Sequence, residues 1–148
     1  MSMIIGMDNH DIACINVEVL YEFYVNTLGL TLAYPWEPGQ DWFAATAGTT
    51  TLYFFKGTGE HLPKAGPEIG ANRPGLESLA FLVADLDEAV AALDGKVEWS
   101  GESHKWTHPN GSWFYFRHLY DPEGNKLSLS EAHDIRWQSA TARTNQDR

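Results

Sequence analysis

Cysteine is nearly missing from this sequence: Cys14 is the single one in 148 residues. One thiol cannot close an internal disulfide or build a cysteine-cluster metal site, and its rarity fits a reducing compartment. Cations are scarce as well. Ten Lys and Arg stand against twenty Asp and Glu, a formal net charge of −10, so a surface built to neutralise nucleic-acid phosphates is excluded. A neutral or cationic partner suits such a chain, although the acids are dispersed and also serve plain solubility. Long apolar runs are absent too, none approaching the roughly 18 residues that span a bilayer, and no membrane partner is expected. The segment Met1 to Met7 has neither the charged region nor the apolar stretch of an export signal, which makes the cytoplasm the expected location. The acceptor-like triplet Asn110-Gly111-Ser112 then reads as a tight hairpin turn. No Gly-x-Ser-x-Gly elbow accompanies His133-Asp134, so these two are not read as part of a triad.

What the chain does contain is said nearly twice. A strand near Asp11 to Ile15 leads to a helix, Glu18 to Leu28, with Val17, Leu20, Tyr21, Tyr24 and Leu28 at helical spacing, Asn16 as cap and Gly29 as left-handed stop. Short strands follow at Thr31 to Tyr34, Trp42 to Ala45 and Thr50 to Lys56. The second copy runs from Ser78 to Val83 into a helix, Asp85 to Leu93, opened by Asp85 with Glu88 three residues on and closed before Gly95. Its strands are Val97 to Trp99, Trp113 to Leu119 and, after the turn Asp121 to Asn125, Leu127 to Ser130. The Gly- and Pro-rich stretch 57–74 reads as a linker, and 131–148 as a short helix with a frayed tail. The expectation is one domain with module one at about 7–56 and module two at about 75–130.

Phe23-Tyr24 with Leu28-Gly29-Leu30, Leu79-Ala80-Phe81 with Val83 and Asp85-Leu86-Asp87, and Phe116-Arg117 with Asp121-Pro122-Glu123-Gly124-Asn125 together resemble the vicinal oxygen chelate superfamily, the glyoxalase, bleomycin-resistance and extradiol-dioxygenase group. The resemblance implies an α+β fold of paired βαβββ modules forming a curled mixed sheet around a ligand cavity, completed as a homodimer. It also implies four metal-ligand positions, on the first and last strands of each module, usually filled by histidines and glutamates. In this chain those positions are Asn9 or Asp11, Tyr53, Ser78 and Ser128. Neutral hydroxyls are poor ligands for a divalent metal, so no metal and no other cofactor is expected.

Strand alternation sends Asn9 and Asp11 to one face and His10 to the other. Asp11 or His10 is the candidate proton acceptor or charged anchor. His104 and His108 are four apart, but Pro109 argues against a helix there; they read as loop residues, and His118 as packing. Six Trp, six Tyr and seven Phe are more flat surface than a small core requires, with loops at 35–42 and 103–113 carrying several of them. Trp42, Tyr53, Phe55, Trp113 and Tyr115, with Asn9, Ser78 and Ser128, are the candidate ligand-binding residues. Two functions follow. The first is a metal-independent protein that sequesters a small aromatic or cationic molecule, as a resistance protein does. The alternative is a metal-independent lyase, isomerase or epimerase using a proton-transfer residue on the first strand.

Overall fold

The computed structural model describes residues 3–61, 63, 64, 66 and 75–134. Much of the expected linker and the tail beyond residue 134 therefore lie outside the described residues. The chain divides into two compact units, Met1–Pro63 with Asp121–Gly124, and Lys64–Tyr120 with Asn125–Arg148.

In the first unit the order is β1 (Asn9–Cys14), α1 (Val17–Tyr21), a π-helical stretch (Glu22–Thr27), β2 (Thr31–Leu32), β3 (Trp42–Ala47) and β4 (Thr50–Lys56). The four strands lie in the order β1-β4-β3-β2. β1 runs parallel to β4, and the other pairs are antiparallel. This is one βαβββ module. Asn16 caps α1 by accepting from the Val19 amide at 3.1 Å, as the sequence implies. The helix does not stay α-helical to Leu28. It widens after Tyr21, and the Leu28 amide bonds back five residues to the Phe23 carbonyl at 2.8 Å. The wider turn lets the sequence neighbours Phe23 and Tyr24 both bury. Apolar spacing alone does not separate this from an α-helix, because the same residues face inward in both. Gly29, at φ 81°, supplies the left-handed stop that a side chain would strain.

The core of this unit forms between the helix and one sheet face. Phe43 and Phe54 stack at 4.3 Å, Tyr24 meets Phe54 at 4.5 Å and Tyr21 meets Phe43 at 5.7 Å. Leu20, Leu52 and Val17 close around them.

The second unit repeats the plan with one strand more: β5 (Leu79–Leu82), α2 (Leu86–Leu93), β6 (Glu98–Trp99), β7 (His104–Thr107), β8 (Trp113–Tyr120) and β9 (Lys126–His133). The order is β5-β9-β8-β6, with β7 also paired to β8. The Asp85 side chain caps α2 by accepting from the Glu88 amide at 2.9 Å. Leu86, Leu119, Leu127 and Leu129 form the core on the α2 side. Two expectations are corrected here. Residues 104–107 are a strand and not loop; both faces of β7 are exposed, so it carries no inside-outside alternation to read. Residues 131–133 continue β9 instead of starting a tail, because Trp113, Phe114 and Tyr115 stand opposite as cross-strand partners, and His133 stacks on Trp113 at 3.8 Å. The Asn110-Gly111 turn is present: Asn110 Oδ1 accepts from the Ser112 amide at 2.8 Å.

Candidate functional site

Pairing register decides which candidate side chains share a face. In the first unit Asp11 lies opposite Tyr53, Tyr53 opposite Ala44, and Ala13 opposite Phe55, which pairs with Trp42. Asn9, Asp11, Tyr53, Phe55 and Trp42 thus stand together on the face turned away from α1. His10 pairs with Leu52, a core residue, and so stands on the opposite, helix-side face. Asp11 and His10 do not converge on one site.

The shared face is an aromatic ladder beside carboxylates. Trp42 lies 6.5 Å from Tyr53 and 6.4 Å from Phe55, with interplanar angles of 25°, and Tyr53 lies 6.0 Å from Phe55 at 6°. Tyr34, which the sequence reading left out, meets Trp42 edge-on at 5.8 Å. Trp42 is 40%, Phe55 43% and Tyr34 49% exposed, an unusual allowance for side chains of this size on neighbouring positions. The Asn9 amide donates to Asp11 Oδ1 at 2.8 Å, holding the carboxylate toward its strand. The Tyr53 hydroxyl is pushed up from its ordinary value, first by the hydrogen bond with Tyr34, then by desolvation and by the carboxylates of Asp8 and Asp11. It stays a neutral phenol.

The remaining tryptophan of this unit does something else. Trp36 stacks on Tyr21 at 4.1 Å and touches Phe43, so it is core on the helix side. Near the start of α1 a shallow pocket of about 290 Å³ is lined by Ile15, Asn16, Glu18, Gln40, Asp41 and Lys56 among others, with none of the ladder rings in its wall.

In the second unit Ser128 lies opposite both Ala80 and His118, on the face turned away from α2. Ser78, two residues before Ala80, stands at the start of the same strand edge. Trp113 and Tyr115 are on the other face. Tyr115 donates to Asp87 of α2 at 2.8 Å, and Lys105 lies 4.1 Å over the Trp113 ring. These two candidates are therefore separated from Ser128: both belong to the α2 side, where they brace the helix and the strand ends. His118 is on the Ser128 face, with its imidazole held below the ordinary value by burial first, then by the Lys126 charge. Counting equal steps outward from the turn at 121–125 pairs His118 with Ser128, and that arithmetic was the signal available in the sequence.

At the four positions that the resemblance assigns to metal ligands, the donors are Asn9 or Asp11, Tyr53, Ser78 and Ser128. One carboxylate among hydroxyls does not fit a divalent metal of the softer kind. Among the described residues no group of three or more His, Cys, Asp and Glu side chains is placed to hold a metal ion.

The sequence model of the Glyoxalase/Bleomycin resistance protein/Dioxygenase superfamily matches residues 7–129. The chain belongs to this superfamily. No curated protein matches it significantly in sequence. Several solved structures share the superfamily's fold with it. An integron cassette protein from the mobile metagenome of Vibrio cholerae has a TM-score of 0.64 at 22% identity, covering 88% of this chain and 98% of that one. A glyoxalase/bleomycin resistance protein/dioxygenase from Alicyclobacillus acidocaldarius has a TM-score of 0.64 at 15% identity, covering 89% and 95%. A lactoylglutathione lyase from Agrobacterium tumefaciens has a TM-score of 0.57 at 21% identity, covering 86% and 93%. At these identities the shared property of the superfamily members is the fold.

Proposed function

We propose that this superfamily member binds a small planar aromatic molecule, neutral or cationic, without a metal, and sequesters it as a homodimer. The ladder of Tyr34, Trp42, Tyr53 and Phe55 carries the reading. Four rings at neighbouring positions, left two-fifths or more exposed at three of them, offer a stacking surface, and Asp8 and Asp11 beside Tyr53 make it attractive to a cation. Cation-π and Coulomb terms in such a setting contribute roughly 0.5 to 2 kcal/mol each. The chain's −10 charge acts in the same direction at longer range.

The test uses proflavine, a planar aromatic cation, with Trp fluorescence as readout. Binding should quench the fluorescence and return the dye unchanged. Trp42→Ala should weaken it by about 1 to 3 kcal/mol, the usual cost of losing an aromatic anchor, whereas Trp113→Ala, on the α2 side, should leave affinity alone. Asp11→Asn should weaken proflavine more than an uncharged analogue. Equal losses from the Trp42 and Trp113 variants would refute the ladder as the site.

The juxtaposition of Asp11 with the Tyr53 phenol supports a second reading, a metal-independent lyase, isomerase or epimerase in which Asp11 moves a proton. Solvent deuterium appearing at a carbon of a bound carbonyl compound, and vanishing in Asp11→Asn, would favour it over sequestration.

A further inference from the structure

One end of the aromatic ladder differs in shape from the rest. Trp42, Tyr53 and Phe55 stand nearly parallel, but Tyr34 meets Trp42 at 5.8 Å with the two planes 63° apart. Two rings set at that angle turn one face each toward the same small volume. Both are open to it, Tyr34 being 49% and Trp42 40% exposed.

The charges are placed at a distance from this corner. Asp11 lies on β1 opposite Tyr53 of β4, whereas Trp42 lies on β3 opposite Phe55, so the carboxylate is two strands from the indole, roughly 10 Å at the spacing of a sheet. Asp8 stands just before β1. Asp41, next to Trp42 in sequence, lines the pocket at the start of α1 instead and pairs with Lys56 at 3.7 Å. Polar groups beside the ladder are engaged with one another: the Asn9 amide donates to Asp11 Oδ1 at 2.8 Å, and the Tyr34 and Tyr53 hydroxyls share a hydrogen bond. A cation in the corner therefore meets two π faces and a negative field that acts through space.

That combination separates one kind of cation from another. A primary ammonium carries three N–H donors, and each one that loses water without gaining an acceptor costs free energy. A quaternary ammonium has no donors to satisfy, and π faces attract it directly, Trp most strongly. We propose that the Tyr34–Trp42 corner seats the quaternary ammonium group of a small soluble aryl compound whose ring continues over Tyr53 and Phe55. This rests on the ladder as the ligand surface and narrows its guest to alkylated cations, preferred over primary ones of equal charge and ring. Tyr34 sets the preference, because it is the wall that makes a corner of a flat ladder.

Benzyltrimethylammonium and benzylammonium share a ring and a charge, and calorimetric titration of the intact chain with each compares them at neutral pH. The quaternary compound should bind about fivefold or more tightly than the primary one. Tyr34→Leu, which keeps apolar bulk and removes the π face, should erase that ratio, whatever it does to either affinity. Tyr34→Phe should preserve tight binding of the quaternary compound. Phosphatidylcholine vesicles present the same cationic group on a lipid, and the protein should stay in the supernatant when they are pelleted. Equal affinities for the two amines, a ratio that survives Tyr34→Leu, or pelleting with the vesicles overturns the proposal. Proflavine titrated into the same wild-type protein tells the two levels apart: if it binds while the amines are not distinguished, the corner fails and the ladder stands, and if it does not bind, both fall.

Discussion

Tyr24 donates to Asp121 Oδ2 at 2.8 Å inside the first unit, and Asp121 Oδ1 accepts from the Glu123 amide at 2.9 Å. A phenol placed so deep fixes the turn that carries Asp121 and Glu123. Burial first, then the Asp121 charge, pushes the Tyr24 hydroxyl well above its ordinary value, and burial with the Glu123 and Asp121 carboxylates raises the Cys14 thiol from 9.0 to about 11. Both groups are neutral in the fold and resist ionisation there. The stability they contribute is fully present below their ordinary values and is lost as pH rises through the raised ones. Denaturant unfolding followed from neutral pH into the alkaline range should therefore show stability declining from about pH 9 upward. Tyr24→Phe should cost about 1 to 3 kcal/mol at neutral pH, because the Asp121 carboxylate loses the phenol as a donor, and should flatten part of that decline. Cys14, 2% exposed and rarely a thiolate, should alkylate slowly at neutral pH until the protein is unfolded.

At the scale of elements, the start of α1 is held by two devices. Asn16 caps it from within. Glu123 accepts from the Ile15 amide at 2.9 Å and the Asn16 amide at 2.7 Å, and pairs with His61 at 2.7 Å. A helix of five α-helical residues that then widens has little stability of its own, so these contacts set where it begins. Glu123→Ala should destabilise the first unit by about 1 to 3 kcal/mol, since two backbone donors lose a charged acceptor. Asn16→Ala should cost about 1 kcal/mol. Hydrogen exchange at the amides of the first turn would check both: faster exchange there, with β8 and β9 unaffected, is the expected pattern.

For the molecule as a whole, the expected homodimer is tested by sedimentation. Met3, Ile4, Ile5 and Met7 are largely exposed in one short run, the kind of surface a second copy covers. A species of twice the 16.6 kDa of one chain at micromolar concentration is the expected outcome. Removing the first seven residues should shift the population toward monomer. A clean monomer for the intact chain would contradict the assembly while leaving the proposed stacking site open to test. No described helix is long and apolar enough to cross a membrane.

The sequence by itself determined the repeat, the helix starts and the main strands. Asn16, Asp85, Gly29 and Gly95 act through neighbouring backbone, and short-range rules suffice for such residues. It also placed Asn9 and Asp11 on one face and His10 on the other, because strand alternation is local. What it could not settle depended on partners far along the chain. Whether Trp42, Trp36 or Trp113 was core or open surface required knowing which face the helix covers, and composition treats all three alike. His118 is buried as a packing residue would be, and only strand pairing shows that it stands opposite Ser128. The widening of the first helix and the strand at 104–107 were hidden for related reasons: the former keeps the apolar spacing of an α-helix, and the latter has two exposed faces. Tertiary structure decided these points because burial is a property of the assembled sheet and helix, and a residue's own type carries only its tendency toward it.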